Sequence, residues 1–332
     1  MAQVRKDFLL ERYAVISEKR SARPHDFKSK PISGTPSIPV SAASVAPPVP
    51  AATAAPIIPA APITGKYDPK CFFCPGNEAL TPPTIDQYPA KGLWNIRVFL
   101  NKFAALKPPL GQHEVIVDVK DHGKDLRELA PEQIVQVFKM YEKRRVALER
   151  KYKHVAIFKN VGKEGGASLS HSHTQLLASQ FLPPIINQET EASKKHYQKW
   201  HRCAWCDEMK KAGRRIALET KYTILIAANA PRFNDEVWVL PKRHVGNFSE
   251  LKPEEALDFC RVLKGALEKV ATLKDPATYN YAVHHAQKGA KFFHFHVEVM
   301  PRVAIHAGYE LGEGAYIVSV SPETAAKFYR SK

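Results

Sequence analysis

The sequence predicts an α+β protein of two tandem units, each an antiparallel sheet with one long helix, and three observations lead there. First, Cys71-Phe72-Phe73-Cys74 reappears as Cys203-Ala204-Trp205-Cys206, and each pair is followed by two histidines, His122 and His171 or His244 and His294. The interval between those histidines is 49 residues in the first half and 50 in the second, so one plan occurs twice. Second, each interval contains apolar residues at helical spacing: Ile134, Val137, Phe138, Tyr141 and Leu148, then Phe259, Leu263, Leu267 and Val270. Third, short alternating or apolar runs flank each helix, as strands do.

Taken in order, residues 1–30 read as the edge of a folded unit, with Phe8-Leu9-Leu10 and Tyr13-Ala14-Val15-Ile16 strand-like. Arg20 and Arg23 stand three apart, a spacing that suits a phosphate clamp and equally plain surface charge. Pro31 to Pro62 holds nine prolines among Ala, Val and Ser. That composition excludes a helix or an inner strand and predicts a flexible insertion over residues 31–65. Strands follow over 95–100 and 114–119, then a helix over 131–152 and a strand at Val155-Ala156-Ile157-Phe158 that ends near Asn160. Beyond residue 200, Glu236-Val237-Trp238-Val239 runs to His244 as Glu114-Val115-Ile116-Val117 runs to His122, with the same interval of eight. A helix, a strand over 279–285 and His294-Phe295-His296-Val297-Glu298 complete the second unit. The expected division is therefore residues 1–190 and 191–332.

Composition bounds the function classes. At 332 residues, 44% hydrophobic and 25% charged, the chain is ordinary globular material. No apolar run reaches the ~18 residues that a membrane span needs, and the N-terminal residues lack a secretory apolar core, so a cytoplasmic location is expected. Four of the five cysteines fall in the two Cys-x-x-Cys pairs, which in a reducing compartment reads as metal binding. The net charge of +16 favours anionic partners, whether phosphorylated metabolites or nucleic acid.

The chemistry concentrates in Ser168-Leu169-Ser170-His171-Ser172-His173-Thr174-Gln175. On a strand His171, His173 and Gln175 share one face, and Ser170, Ser172 and Thr174 the other. A bare His-x-His pair has three uses: two ligands on one zinc, one ligand and one nucleophile, or plain surface histidines. Ligand arithmetic narrows the choice. Cys71, Cys74, His122 and His171 make up two thiolates and two imidazoles, the set that closes a tetrahedral structural zinc site, and His173 is then surplus and becomes the candidate nucleophile. The competing arrangement places both histidines on one catalytic zinc. In the second half Cys203, Cys206, His244 and His294 fill the equivalent roles, giving about two zinc ions per chain. There Glu298 stands where Gln175 stands in the first half and would repel a phosphate beside His296, so the second half reads as scaffold and substrate-specificity domain and not as a second reaction centre.

These motifs, with Lys19 to Pro24, Cys71 to Glu78, Asn101 before Phe103-Ala104-Ala105-Leu106, Asn160, His294 to Arg302 and Gly308-Tyr309-Glu310-Leu311-Gly312, resemble the galactose-1-phosphate uridylyltransferase branch of the histidine-triad (HIT-like) superfamily. The resemblance covers nearly the whole chain except the Pro/Ala insertion. It implies two HIT-like units and a UDP-glucose:hexose-1-phosphate uridylyltransferase acting by double displacement through a nucleotidyl-histidine, with a nucleotide sugar and a sugar 1-phosphate as partners and a homodimer as the assembly. It assigns His173 as nucleophile, Gln175 and Ser168 to the phosphoryl oxygens, Asn160 to the phosphate region, Arg20, Arg23 and Asn101 to the nucleotide, and Tyr309 with Glu310 to the sugar. Ser172 departs from the proline usual in the galactose enzymes, and His-Ser-His occurs in relatives that resemble plant ADP-glucose phosphorylase. An ADP-glucose phosphorylase, or a related nucleotide phosphorylase or hydrolase, is therefore the alternative. In some of these enzymes a Glu and three His hold the second metal; Glu189, His284, His294 and His296 match that pattern, although the internal repeat favours the cysteine set. A third reading, a zinc-stabilised nucleic-acid-binding protein, has the net charge behind it and the even spread of basic residues against it.

Overall fold

A computed structural model describes residues 3–18 and 66–331; Arg20, Arg23 and the Pro/Ala-rich segment lie outside the described residues. Helix α1 (Pro131–Leu148) and helix α4 (Pro253–Ala271) start the same way for the same reason. Each has proline at its first position, where no backbone N–H is needed. In each, the third residue reaches back: Gln133 accepts from the Ala130 amide at 2.9 Å and Glu255 from the Lys252 amide at 2.8 Å, half of a capping box. The repeated Leu-x-Pro-Glu sequence (Leu129 to Glu132, Leu251 to Glu254) is thus a repeated helix start.

Around these helices the strands are β3 (Thr84–Tyr88), β4 (Ile96–Leu100), β5 (Gly111–Val117), β6 (His154–Val161) and β7 (His173–Ser179) in the first half. The second half has β8 (Ile216–Glu219), β9 (Thr223–Ala227), β10 (Val237–Pro241), β11 (Tyr279–His284) and β12 (His296–Pro301). They form one sheet in the order β3-β4-β5-β7-β6-β11-β12-β10-β9-β8, antiparallel at every pairing. From the β6–β11 contact outward, both halves show the same succession, so the duplication is a pseudo-two-fold about the middle of the sheet. A smaller sheet joins β1 (Gln3–Lys6), β2 (Tyr13–Ile16) and β13 (Tyr316–Val318). The remaining helices are α2 (Pro184–Trp200), α3 (Ala204–Lys211), α5 (Gly308–Glu313) and α6 (Pro322–Arg330). No helix among the described residues is long and apolar enough to cross a membrane.

The apolar stripes of α1 and α4 pack side by side on one face of the sheet. Phe138 meets Phe248 and Phe259, and Phe259 meets Phe295, with ring centroids 5.0–6.0 Å apart. All of these rings are buried, each stabilising by ~1.5–3 kcal/mol. The opposite face of the sheet is left for chemistry.

Strand register corrects one detail of the repeat. Gln175 pairs with Val115 and Glu298 with Trp238, so Val115 is the counterpart of Trp238, Glu114 of Val237, and His113 of Glu236. The equal eight-residue interval from Glu114 and from Glu236 matches residues on opposite faces of the sheet. Glu114 reaches α1 through Arg144 at 2.8 Å, whereas Glu236 meets Arg232 on the other face. A one-residue slip reverses a strand's faces, and here the loop before each histidine absorbs it. Phe8-Leu9-Leu10 is likewise no strand: Asp7 Oδ1 accepts the amides of Leu9 and Leu10, each at 3.0 Å, and bends the chain between β1 and β2.

Candidate active site and metal centres

Strand alternation sorts the side chains of β7 as predicted. Ser172 and Thr174 face the helices; His173 and Gln175 face the open side. On the helix side a polar network replaces apolar packing. Lys159, about 1% exposed, donates to Asp118 Oδ2 at 2.8 Å, Ser172 Oγ at 2.7 Å and the His173 carbonyl at 3.1 Å. Asp118 also accepts from Tyr141 at 2.9 Å and Thr174 at 3.1 Å. Tyr281 of β11 closes the group against Tyr141 at 2.9 Å, and Tyr279 donates to Asp125. Lys159 therefore clamps the backbone that carries His173 from behind. Lys159→Met, which strands the buried Asp118 carboxylate, is expected to cost about 3–5 kcal/mol of stability. Chemical denaturation would measure it: Lys159→Met/Asp118→Asn should recover part of the loss, and a single-variant cost below ~1 kcal/mol would contradict the clamp.

On the open side His173 Nδ1 lies 2.8 Å from the His171 carbonyl. A carbonyl only accepts, so Nδ1 carries the hydrogen and Nε2 keeps its lone pair. Burial lowers the His173 pKa, the His171 carbonyl opposes that shift, and the Lys159 charge adds to it, so the imidazole is neutral near pH 7. Phe73 packs edge-on against it, centroids 5.2 Å apart. Both His173 and Gln175 open into a cavity of about 380 Å³ with apolar walls from Phe72, Phe73, Leu80, Phe99 and Phe103, and with Asn101 and Ser168 at its margin. Asn160 instead accepts from Asn280 at 2.8 Å and lines a neighbouring cavity of about 360 Å³ that shares Ser168. Tyr309 and Glu310 lie on α5, where Glu310 accepts the amides of Ala307 and Ile317; within one chain they are not among the residues lining the His173 cavity.

Sequence reading missed His113, which is buried beside Gln175. The expected strand began at Glu114, one residue past it, whereas β5 starts at Gly111, and nothing in the sequence named its partner strand.

The two Cys/His sets converge as the repeat predicts. In each, the four ligand atoms lie within 4.8 Å of one another. Cys71 and Cys74 Sγ stand 3.5 and 3.6 Å from His171 Nδ1, and Cys74 Sγ 3.5 Å from His122 Nδ1. In the second set Cys206 lies 3.5 Å from His294 Nδ1 and 3.7 Å from His244 Nδ1, and Cys203 3.9 Å from His294. A tetrahedral zinc with ordinary bond lengths separates its S and N ligands by about 3.6 Å. The far nitrogens of His171, His244 and His294 each face a backbone carbonyl, on Val119, Lys291 and Pro241, at 2.8–2.9 Å. That contact turns Nδ1 toward the metal position, as ligating histidines require. Both sets fit a metal ion.

Glu189, His284, His294 and His296 do not form the alternative set, because His294 belongs to the cysteines. Glu189, His284 and His296 gather instead with Glu298. Glu189 and His284 Nδ1 are 2.8 Å apart and Arg232 bridges Glu298 and Glu236, while Glu298 Oε1 and His296 Nε2 are buried without a hydrogen-bond partner among the described residues. The counterpart of the His173 cavity is filled. Trp205, the equivalent of Phe73, lies over His296 at 3.9 Å, and Phe8 closes on Trp205 and Trp238 at 4.8 and 5.8 Å. His296 is fully buried. Packing, beyond the charge of Glu298, thus closes off His296.

A neutral histidine thus stands at the mouth of an apolar cavity, and its counterpart in the second half is sealed. Residues 101–183 match the family description galactose-1-phosphate uridyl transferase, N-terminal domain, and residues 210–305 match the HIT domain. The galactose-1-phosphate uridylyltransferase of Thermotoga maritima is 32% identical over 268 residues, 71% of this chain and 84% of that protein. The ADP-glucose phosphorylase of Arabidopsis thaliana is 27% identical over 354 residues, 99% of this chain and 92% of that protein. The crystal structure of an ADP-glucose phosphorylase from Arabidopsis thaliana with bound ADP-glucose superposes with a TM-score of 0.81 at 25% identity, covering 100% of this chain and 99% of that one. The chain belongs to the galactose-1-phosphate uridylyltransferase branch of the histidine-triad superfamily, whose members are nucleotidyl-transferring enzymes.

Proposed function

We propose that the protein transfers a nucleotidyl group by double displacement through His173, with ADP-glucose as donor and inorganic phosphate as acceptor. The observation that carries the donor and acceptor is the end-to-end relationship to ADP-glucose phosphorylase, which spans 99% of this chain. The aromatic walls of the His173 cavity support it, since a purine offers them more π-surface than a pyrimidine does.

In the first half-reaction Nε2 of His173 attacks the α-phosphorus. The bond from that phosphorus to the bridging oxygen breaks, and glucose 1-phosphate leaves with the electron pair. Positive charge develops on the ring and is stabilised through Nδ1–H by the His171 carbonyl. The Gln175 amide donates to a phosphoryl oxygen. In the second, a phosphate oxygen attacks the same phosphorus, the P–N bond breaks, ADP forms and His173 returns neutral. The two Cys/His sets would each hold a zinc ion. Closed sites of this kind supply structure and no bound-water chemistry.

The 32% identity to the Thermotoga maritima enzyme over 84% of its length favours a second reading, uridylyl transfer from UDP-glucose to a hexose 1-phosphate. Two assays separate them: release of glucose 1-phosphate from ADP-glucose plus phosphate, and nucleotide exchange between UDP-glucose and galactose 1-phosphate. The first is expected to run at least ~10²-fold faster, well inside the discrimination that a hydrogen-bonding site can reach. A faster second reaction would replace the ADP-glucose reading with the uridylyl one.

A further inference from the structure

We propose that His113 is a positioning residue that sets the orientation of the Gln175 amide. The inference rests on the double-displacement reading, which gives that amide a phosphoryl oxygen to meet.

His113 and Gln175 sit on the same face of neighbouring strands, β5 and β7, as diagonal partners: His113 pairs with Leu177 and Val115 with Gln175. Diagonal neighbours are within reach of long side chains. The tautomer of His113 is dictated by its surroundings. The Ala105 amide donates to Nδ1 at 3.2 Å, so Nδ1 is an acceptor and Nε2 carries the hydrogen. Nε2 lies 3.0 Å from Gln175 Oε1. An N–H so placed needs an oxygen opposite it, so the amide oxygen turns toward His113 and the NH₂ group turns away, into the cavity that holds His173. Without His113 the two ends of the amide are nearly equivalent in shape, and the carbonyl end would repel a phosphoryl oxygen.

His113 also ties down the cavity rim through its backbone. Its carbonyl accepts the Asn101 amide at 2.8 Å, and Asn101 Oδ1 accepts the Phe103 amide at 2.8 Å. Burial lowers the His113 pKa, in keeping with a neutral ring that can accept at Nδ1. The second half repeats the device with different chemistry. There Glu236, the counterpart of His113, holds Arg232, which bonds Glu298, the counterpart of Gln175. In both halves this strand position orients the side chain beside the second histidine.

The test is a double-mutant cycle read by single-turnover labelling of the protein, without acceptor, from ADP-glucose and from UDP-glucose carrying ³²P at the α-phosphate. His113→Phe is expected to slow labelling by up to about 10²-fold, the ceiling set by losing the amide donor altogether. In a Gln175→Ala background the same change should have no further effect, because there is no amide left to orient. His113→Gln, whose Nε2 can replace the imidazole donor, should recover most of the rate; the shorter His113→Asn should not. That pair decides the question if the Phe variant fails to fold. Equal losses with and without Gln175, or no difference between Gln and Asn at position 113, would overturn the proposal while leaving double displacement intact. Wild type that never labels with either sugar overturns the double-displacement reading and this inference with it.

Discussion

His173→Gly is expected to reduce nucleotidyl transfer by several orders of magnitude while the fold and both metal centres persist. A nucleophile in covalent catalysis has no substitute when no second group lies within bonding reach. Among the described residues, His173 is the only histidine lining the apolar cavity. His171, two residues away, is already engaged by both thiols and by the Val119 carbonyl. The other His-x-His strand residue, His296, is sealed under Trp205. The measurement is retention of α-³²P label after acid and base quenching. A phosphoramidate is lost in acid and kept in base, so wild type should stay labelled after base only and the Gly variant should carry none. Labelling of His173→Gly at the wild-type rate would sink the assignment of the nucleophile.

The second large effect concerns metal. Metal analysis of gently purified protein is expected to find about two zinc ions per chain, one in each closed four-ligand set. Folding free energies are of the order of 5–15 kcal/mol, and a structural zinc in small domains supplies a comparable amount, so stripping the metal should unfold the segments it ties together. In the first half the tie joins Cys71 and Cys74, which precede the sheet, to the loop at His122 and to the start of β7. Cys71→Ser should therefore lower stability first, and transfer only as the lower stability allows. His171→Ala should release zinc, in contrast to His173→Gly. Folded, active protein with almost no metal would remove this account. Three ions per chain would mean that the Glu189–His284–His296–Glu298 cluster is loaded as well, against the pairing with Arg232.

The two predictions draw on different layers of information. Local chemistry determined much by itself. The helix starts at Pro131 and Pro253 and the alternation of His173 and Gln175 against Ser172 and Thr174 depend on spacing within a few residues, which covalent geometry converts directly into faces and turns, and the Cys/His pattern declared itself by repeating at intervals of 49 and 50 residues. Those features were legible because a wrong reading of any of them would strand a thiol, a helix N-terminus or a core side chain.

Only the tertiary structure decided the rest. Which residue of β5 equals which residue of β10 depends on a register set by pairing with β7 and β12, and the matching glutamates pointed to the wrong face by one residue. Helix α2, with Glu189 buried on it, and the burial of Lys159 follow from partners far away in sequence: Glu189 faces His284, and Lys159 faces Asp118 and Ser172. The same holds for the two faces of the repeat. Phe73 and Trp205 occupy equal positions, yet one edges an open cavity and the other seals its histidine, because Phe8 arrives from the N-terminal turn only on the second side. His113 belongs here too: a histidine on an alternating strand names its face, but only the neighbouring strand brings Gln175 to its Nε2. Sequence spacing fixes which way a side chain points, and long-range packing fixes what it meets there.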